Sequence, residues 1–352
     1  MNLDDLGAFR EIDKQNLIGQ INSLPDQISS AYEFGQEYPL PKIEGVRQVV
    51  LCGMGASIIY ADLLAAYAAP LFPLPLMILR DYNLPAWCRG PETFIIASSH
   101  SGNTEETLSA FSQAVERGCR VMALSTGGTL AEKARASGSP AWIYPHTTIP
   151  RIDAGVTFGL LHSLFFRLGW LPDPEDEVQD MQHAMRNSQM NIMAEVPVVY
   201  NPAKRMAGQL YGRWVTVLAA DYLVPLARFW KNQINGMSRT VGYFDTLPEA
   251  DHTTLVGLEY PPELIPKMIA LFLDAPENHP RNLQRLELTR KIFLRQGINT
   301  DVLHARGNTR LARIWTSLLF ADYCTFYLAM AYGVDPSGSP QLSEFKSEMA
   351  SS

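Results

Sequence analysis

A chain of 352 residues, 47% hydrophobic and 18% charged, carries enough apolar material for one large domain or two. Its formal net charge of −7 argues against a nucleic-acid binder but leaves room for a phosphorylated small molecule held in a locally polar site. The four cysteines, Cys52, Cys88, Cys119 and Cys324, form no CxxC pair, and the N-terminal stretch is charged where a signal peptide is apolar, so a reduced cytoplasmic protein without a membrane span is expected.

The first forty or so residues read as helix and end in the Pro-rich link "EYPLPKIEG". Strand and helix then alternate. "VRQVVLCG", "PLMILRDY", "TFIIASS", "RVMALST" and "AWIYPH" read as strands, with helical patterns over "SIIYADLLAAYA", the stretch after Thr104, and "TLAEKARASG". A polar helical segment, "DPEDEVQDMQHAMRNSQMNIMAE", reads as a connector. The alternation resumes with "WVTVLAA", "TTLVGLEY", "KMIALFLDA" and "TDVLHARG" as strands. "VPLARFWKNQIN", "RNLQRLELTRKIFLRQG" and "RIWTSLLFADYCTFYLAMAYG" read as helices, before a turn-rich polar tail. Such alternation is the signature of parallel sheets covered on both faces. The expected fold is α/β with two doubly wound parallel-sheet, flavodoxin-like domains. The boundaries are a helical segment 1–45, a first domain 46–170, a helical connector 171–195, a second domain 196–335 and a tail 336–352.

In a sheet of order 2-1-3-4-5, ligands bind outside the carboxyl ends of the strands, between strands one and three. The turns there are "CGMGAS" and "SSHSGNT". Each precedes a helix, so free backbone N–H groups and a positive dipole end face the same gap. Ser57, Ser99, Ser101 and Thr104 add hydroxyls. Neither turn has the lysine of a nucleotide-triphosphate loop, and "GMGASI" places isoleucine at the third glycine of a dinucleotide fingerprint. A phosphate monoester fits better. The competing reading makes these residues helix caps and turn formers.

These residues resemble the bifunctional phosphoglucose/phosphomannose isomerases of the sugar isomerase (SIS) superfamily. "GMGAS" matches its glycine-rich turn, "SSHSGNTEET" its SYSGNTEET motif, "IPR" at 149–151 its Pro-Arg, "LPEADH" its Pro-Glu-x-x-His, and "GVDPSGSPQLSEFK" its ending with a late lysine. The resemblance implies a two-domain SIS fold and an aldose–ketose isomerase acting on glucose 6-phosphate or mannose 6-phosphate to give fructose 6-phosphate. It implies no metal or organic cofactor, and a homodimer with a shared active site. By the same resemblance Gly55, Ser57, Ser99, Ser101 and Thr104 anchor the phosphate. His252 assists ring opening, Arg151 stabilises the enediolate, and His100 and Lys346 are further substrate contacts.

One element of the family pattern is missing. The family's proton-transfer glutamate precedes the ring-opening histidine by sixteen residues, and that position is Gly236, within "QINGMSR". Asn235 matches the family and Arg239 replaces its lysine, while His100 stands for a tyrosine of the first motif. Glycine carries no proton, so Glu249 or Asp251, or else His252 or His100, serves as the base. The alternative is a non-catalytic phosphosugar-binding protein, as SIS sensor domains are.

Overall fold

The computed structural model describes residues 2–145 and 154–351. The chain opens with three helices, α1 Leu6–Ile12, α2 Leu17–Asn22 and α3 Leu24–Gly35. Then come β1 Gln48–Gly53, α4 Gly55–Ala68, β2 Leu76–Leu79, β3 Thr93–Ser99, α5 Glu105–Glu116, β4 Arg120–Ser125, α6 Gly128–Ser137, β5 Ala141–Ile143 and α7 Ala154–Arg167. The second half runs α8 Glu175–Gln189, α9 Pro202–Leu210, β6 Trp214–Ala220, α10 Val224–Met237, β7 Gly242–Leu247, β8 Met268–Asp274, α11 Pro280–Arg295, β9 Asn299–His304, α12 Arg310–Tyr332 and α13 Pro340–Ser351. The chain forms two compact units, residues 24–178 and residues 1–23 with 179–352.

In the 24–178 unit the strands are all parallel, as the alternation predicts, and lie in the supposed order β2-β1-β3-β4-β5. β1, β3 and β4 are almost wholly buried, as continuous apolar runs covered by helices on both faces must be. α3 belongs here because it packs on α7 through glycines. A Cβ on Gly159 would come within 2.7 Å of the Ile28 carbonyl oxygen. Cys52 and Cys88 pack in this core as ordinary apolar groups, and all four cysteines are free.

The other unit carries a parallel sheet of order β7-β6-β8-β9. The N-terminal residues join it through Lys204, which is fully buried. Its ammonium donates to Asp4 at 3.0 Å and to the Ala194 carbonyl at 2.8 Å. That pairing holds the Asp4 carboxyl below its usual range. α12 is apolar around its circumference because it is core, with seventeen buried residues including Trp315, Tyr323 and Phe326.

Two segments depart from the sequence reading. "TTLVGLEY" is not a strand. Its first half is a short 3-10 helix, Thr254–Gly257, and the second strand of this sheet is the more polar β7, "GYFDTL". β7 sits at the sheet edge, where one partner strand suffices and polar residues are tolerated. The tail is not all turn either. After Pro340 it forms α13, since Pro at the first helical position is preorganised and Gln, Leu, Glu, Lys and Met follow.

Candidate functional site

β1, β3 and β4 are neighbours in the first sheet, and each ends in a tight turn that starts a helix. Their three turns stand side by side at the carboxyl edge. The register pairs Gly53 with Ser98 and Ser99 with Ser125. The N-termini of α4, α5 and α6 therefore open on one place, each with first-turn N–H groups that lack intrahelical partners.

The turns are built on one another. The backbone N–H of His100 donates to Ser57 Oγ at 3.0 Å. The Ser99 and Thr104 hydroxyls are hydrogen-bonded at 2.9 Å, and Ser99 Oγ also accepts the Gly102 N–H at 3.2 Å. Ser101 Oγ accepts the Asn103 N–H at 3.2 Å. Gly55 and Ser101 are exposed and Thr104 half-buried, while Ser57 and Ser99 lie beneath them. The structure thus assembles Gly55, Ser57, Ser99, Ser101 and Thr104 in one polar cradle, with the two buried serines as its frame and Ser101 at its lip. Glu105, in the first turn of α5, is held aside by the Tyr82 hydroxyl at 3.2 Å.

A third turn, "STGGT" at 125–129, escaped the sequence reading. Its Thr126 hydroxyl donates to the His100 carbonyl at 2.7 Å, and the Thr129 N–H donates to the Asn103 side chain at 3.0 Å. Gly102 has a φ of 69°, and a Cβ there would lie 1.9 Å from the Gly127 carbonyl oxygen. Gly128, at φ 68°, would put its Cβ 2.4 Å from the Ser101 carbonyl oxygen. Only glycine permits both the left-handed backbone and this approach. Two adjacent glycines flanked by serine and threonine after an apolar strand were the signal available in the sequence.

His100 is buried behind the cradle, with its ring edge-on to Tyr144 at 6.1 Å. Arg151 lies outside the described residues.

Glu249, His252 and Lys346 belong to the C-terminal unit. A one-turn 3-10 helix, Glu249–Asp251, follows β7, and His252 caps it with its N–H on the Glu249 carbonyl at 2.9 Å. His252 and Glu249 are both exposed. Asp251 is engaged elsewhere. It takes the Thr289 hydroxyl at 2.6 Å and the Arg285 guanidinium at 2.8 Å. Glu249 makes no side-chain hydrogen bond or ion pair among the described residues. Of the two carboxylates flanking His252, Glu249 alone has its oxygens open. Gly236 lies in the last turn of α10, in helical backbone. Arg239, at φ 51°, reaches the tail, donating to the carbonyls of Asp335 at 3.1 Å and Gly338 at 3.3 Å. Lys346 is exposed on α13.

Comparison with known proteins places the chain among phosphosugar isomerases. Residues 199–349 match the family model described as the bacterial phospho-glucose isomerase C-terminal SIS domain. The bifunctional phosphoglucose/phosphomannose isomerase of Caldicellulosiruptor bescii is 32% identical, over 94% of this chain and 98% of that protein. Its namesake from Aquifex aeolicus is 30% identical over 86% and 90%. A solved structure, a glucose-6-phosphate isomerase like protein from Thermus thermophilus, superposes with a TM-score of 0.66 over 97% of this chain and 99% of that one, at 20% identity. At 32% identity across nearly the full length of both chains, the chain belongs to the bifunctional phosphoglucose/phosphomannose isomerase family.

Proposed function

We propose that this protein is an aldose–ketose isomerase that interconverts glucose 6-phosphate or mannose 6-phosphate with fructose 6-phosphate. The observation that carries the reading is the cradle of three adjacent strand-to-helix turns, joined to a relative 32% identical that is named a bifunctional phosphoglucose/phosphomannose isomerase. The phosphate monoester sits against Ser101, Thr104 and the first-turn N–H groups, where charge-assisted bonds to a dianion are strongest. The retained Glu249 and His252 favour catalysis over mere phosphosugar binding.

The chemistry needs a ring opening and one proton moved between neighbouring carbons. His252 is the acid/base for ring opening. Glu249 takes the C2 proton of the open aldose and returns it to C1, with the electrons of the C2–H bond forming the enediolate in between, while the O2–H proton passes to O1 so that the carbonyl reforms at C2. C2 is planar in that intermediate, so glucose and mannose epimers converge on it. That is the chemical reason one site can serve both. Arg151 is the proposed cation for the enediolate, and Lys346 and His100 are further proposed contacts. The working form is a cytoplasmic homodimer in which His252 of one protomer serves the phosphate cradle of its partner.

A coupled assay for fructose 6-phosphate formation from each aldose tests the activity. Sedimentation at micromolar concentration tests the assembly. A fully active monomer sinks the shared site, and no turnover with either sugar sinks the isomerase reading.

A further inference from the structure

A cavity of about 310 Å³ opens in the C-terminal unit, between the outer face of β9 and the helices α9 and α12. None of the residues discussed above for catalysis lines it. Its apolar wall is Trp230, Leu273, Leu303 and Phe320, with Asn191, Gln209 and Ser317 also in the lining. Strand β9 ends the four-stranded sheet, with no fifth strand beside it among the described residues, and stays half-buried along most of its length. At the mouth stand Arg205 and Arg306, both exposed, and neither guanidinium meets a carboxylate among the described residues. The acid in the lining, Asp301, accepts the neighbouring Val302 N–H at 2.8 Å. His304, also at the rim, holds Asp274 at 2.9 Å. Within the wall, the indole N–H of the fully buried Trp230 has no acceptor among the described residues.

We propose that this cavity is a second small-molecule site, distinct from the phosphosugar cradle, which takes an organic anion with an apolar body and a single carboxylate or phosphate. A cavity of this volume with apolar walls and a few converging polar groups has the form of a ligand pocket. Two unpaired cations at one mouth select the sign of the ligand. The apolar walls select its body. An aromatic or branched aliphatic group is favoured by burial of its surface while its anion stays at the rim with Arg205 and Arg306.

The test uses the intact protein and the dye 8-anilinonaphthalene-1-sulfonate, an aromatic body with one anionic group. Calorimetry and tryptophan-to-dye energy transfer are expected to report one saturable site per chain that persists at saturating glucose 6-phosphate. The doubly substituted Arg205→Glu, Arg306→Glu protein is expected to weaken the dye about tenfold or more, since at least one charge-assisted contact is lost and the charge at the mouth is reversed. The uncharged analogue N-phenyl-1-naphthylamine is expected to bind about tenfold more weakly than the sulfonate. Ser317→Trp, which fills the cavity from α12, is expected to abolish binding. Where that variant fails to fold, the exposed arginine variants decide alone. Unsaturable binding, binding indifferent to the arginines, or displacement of the dye by glucose 6-phosphate would overturn the proposal.

Discussion

The hydroxyl oxygen of Ser57 accepts the backbone N–H of His100 at 3.0 Å, so a side chain from the first glycine turn holds the backbone of the second. This separates frame from lip within the cradle. Ser57→Ala leaves the buried His100 N–H without its acceptor and is expected to lower stability by about 1–3 kcal/mol. Ser101→Ala with Thr104→Ala removes hydroxyls at the open side. It is expected to change stability less than Ser57→Ala while weakening hexose 6-phosphate binding by roughly 1.5–3 kcal/mol for each lost charge-assisted bond. Urea denaturation and calorimetry of the two variants check the division. Equal stability losses with unchanged affinity would reduce both turns to helix caps.

Glu249 and Asp251 flank the same histidine and are expected to behave oppositely. Glu249→Gln should lower kcat by about 10²–10⁴ with little change in KM, because the amide keeps the shape and loses the proton carrier. Asp251→Asn breaks the Arg285 and Thr289 contacts and should cost about 1–3 kcal/mol of stability while leaving kcat within a few-fold. Steady-state kinetics beside thermal unfolding separates them. A catalytic collapse in Asp251→Asn alone would move the base to Asp251.

Gly236 is helical, so a side chain there meets no left-handed backbone. Gly236→Glu is expected to keep the fold, gaining up to about 1 kcal/mol of helix propensity. Placed in the Glu249→Gln background, it should restore part of the lost kcat by returning a carboxylate to the position the family uses. A double variant as inactive as Glu249→Gln, though folded, would show that the α10 end no longer meets the sugar.

His162, on α7, is about 1% exposed and packs among Tyr32, Tyr67 and Phe158 at ring distances of 5.4–5.9 Å. Burial pushes its pKa down to about 4 from an ordinary 6.5. The unfolded chain therefore binds a proton between pH 6.5 and 4 that the folded protein refuses. Stability is full above pH 6.5 and is lost as pH falls towards 4, by about 3 kcal/mol over that window. His162→Phe should flatten that slope. Urea unfolding at pH 7, 6, 5 and 4 measures it, and parallel slopes in the two proteins would assign the acid loss to other groups.

Hydrophobic period and turn chemistry are local, and they determined the alternation of β1 to β5 and the first two cradle turns, whereas the order 2-1-3-4-5 was only supposed until the tertiary structure decided it. The motif "SSHSGNTEET" marked Ser99, Ser101 and Thr104 before any geometry was known. What escaped depended on neighbours far along the chain. β7 carries a polar pattern because an edge strand needs only one partner, and "TTLVGLEY", with better strand residues, has no sheet to join. The "STGGT" turn gains its meaning from Gly102, twenty-five residues before Gly127, whose carbonyl oxygen would lie 1.9 Å from any Cβ there. The Pro-Glu-x-x-His match already singled out Glu249 in the sequence, but not which of Glu249 and Asp251 is free to act. Only the packing of α11, which brings Arg285 and Thr289 onto Asp251, leaves Glu249 open, because whether a carboxylate is spent depends on which groups the tertiary fold sets within hydrogen-bond reach.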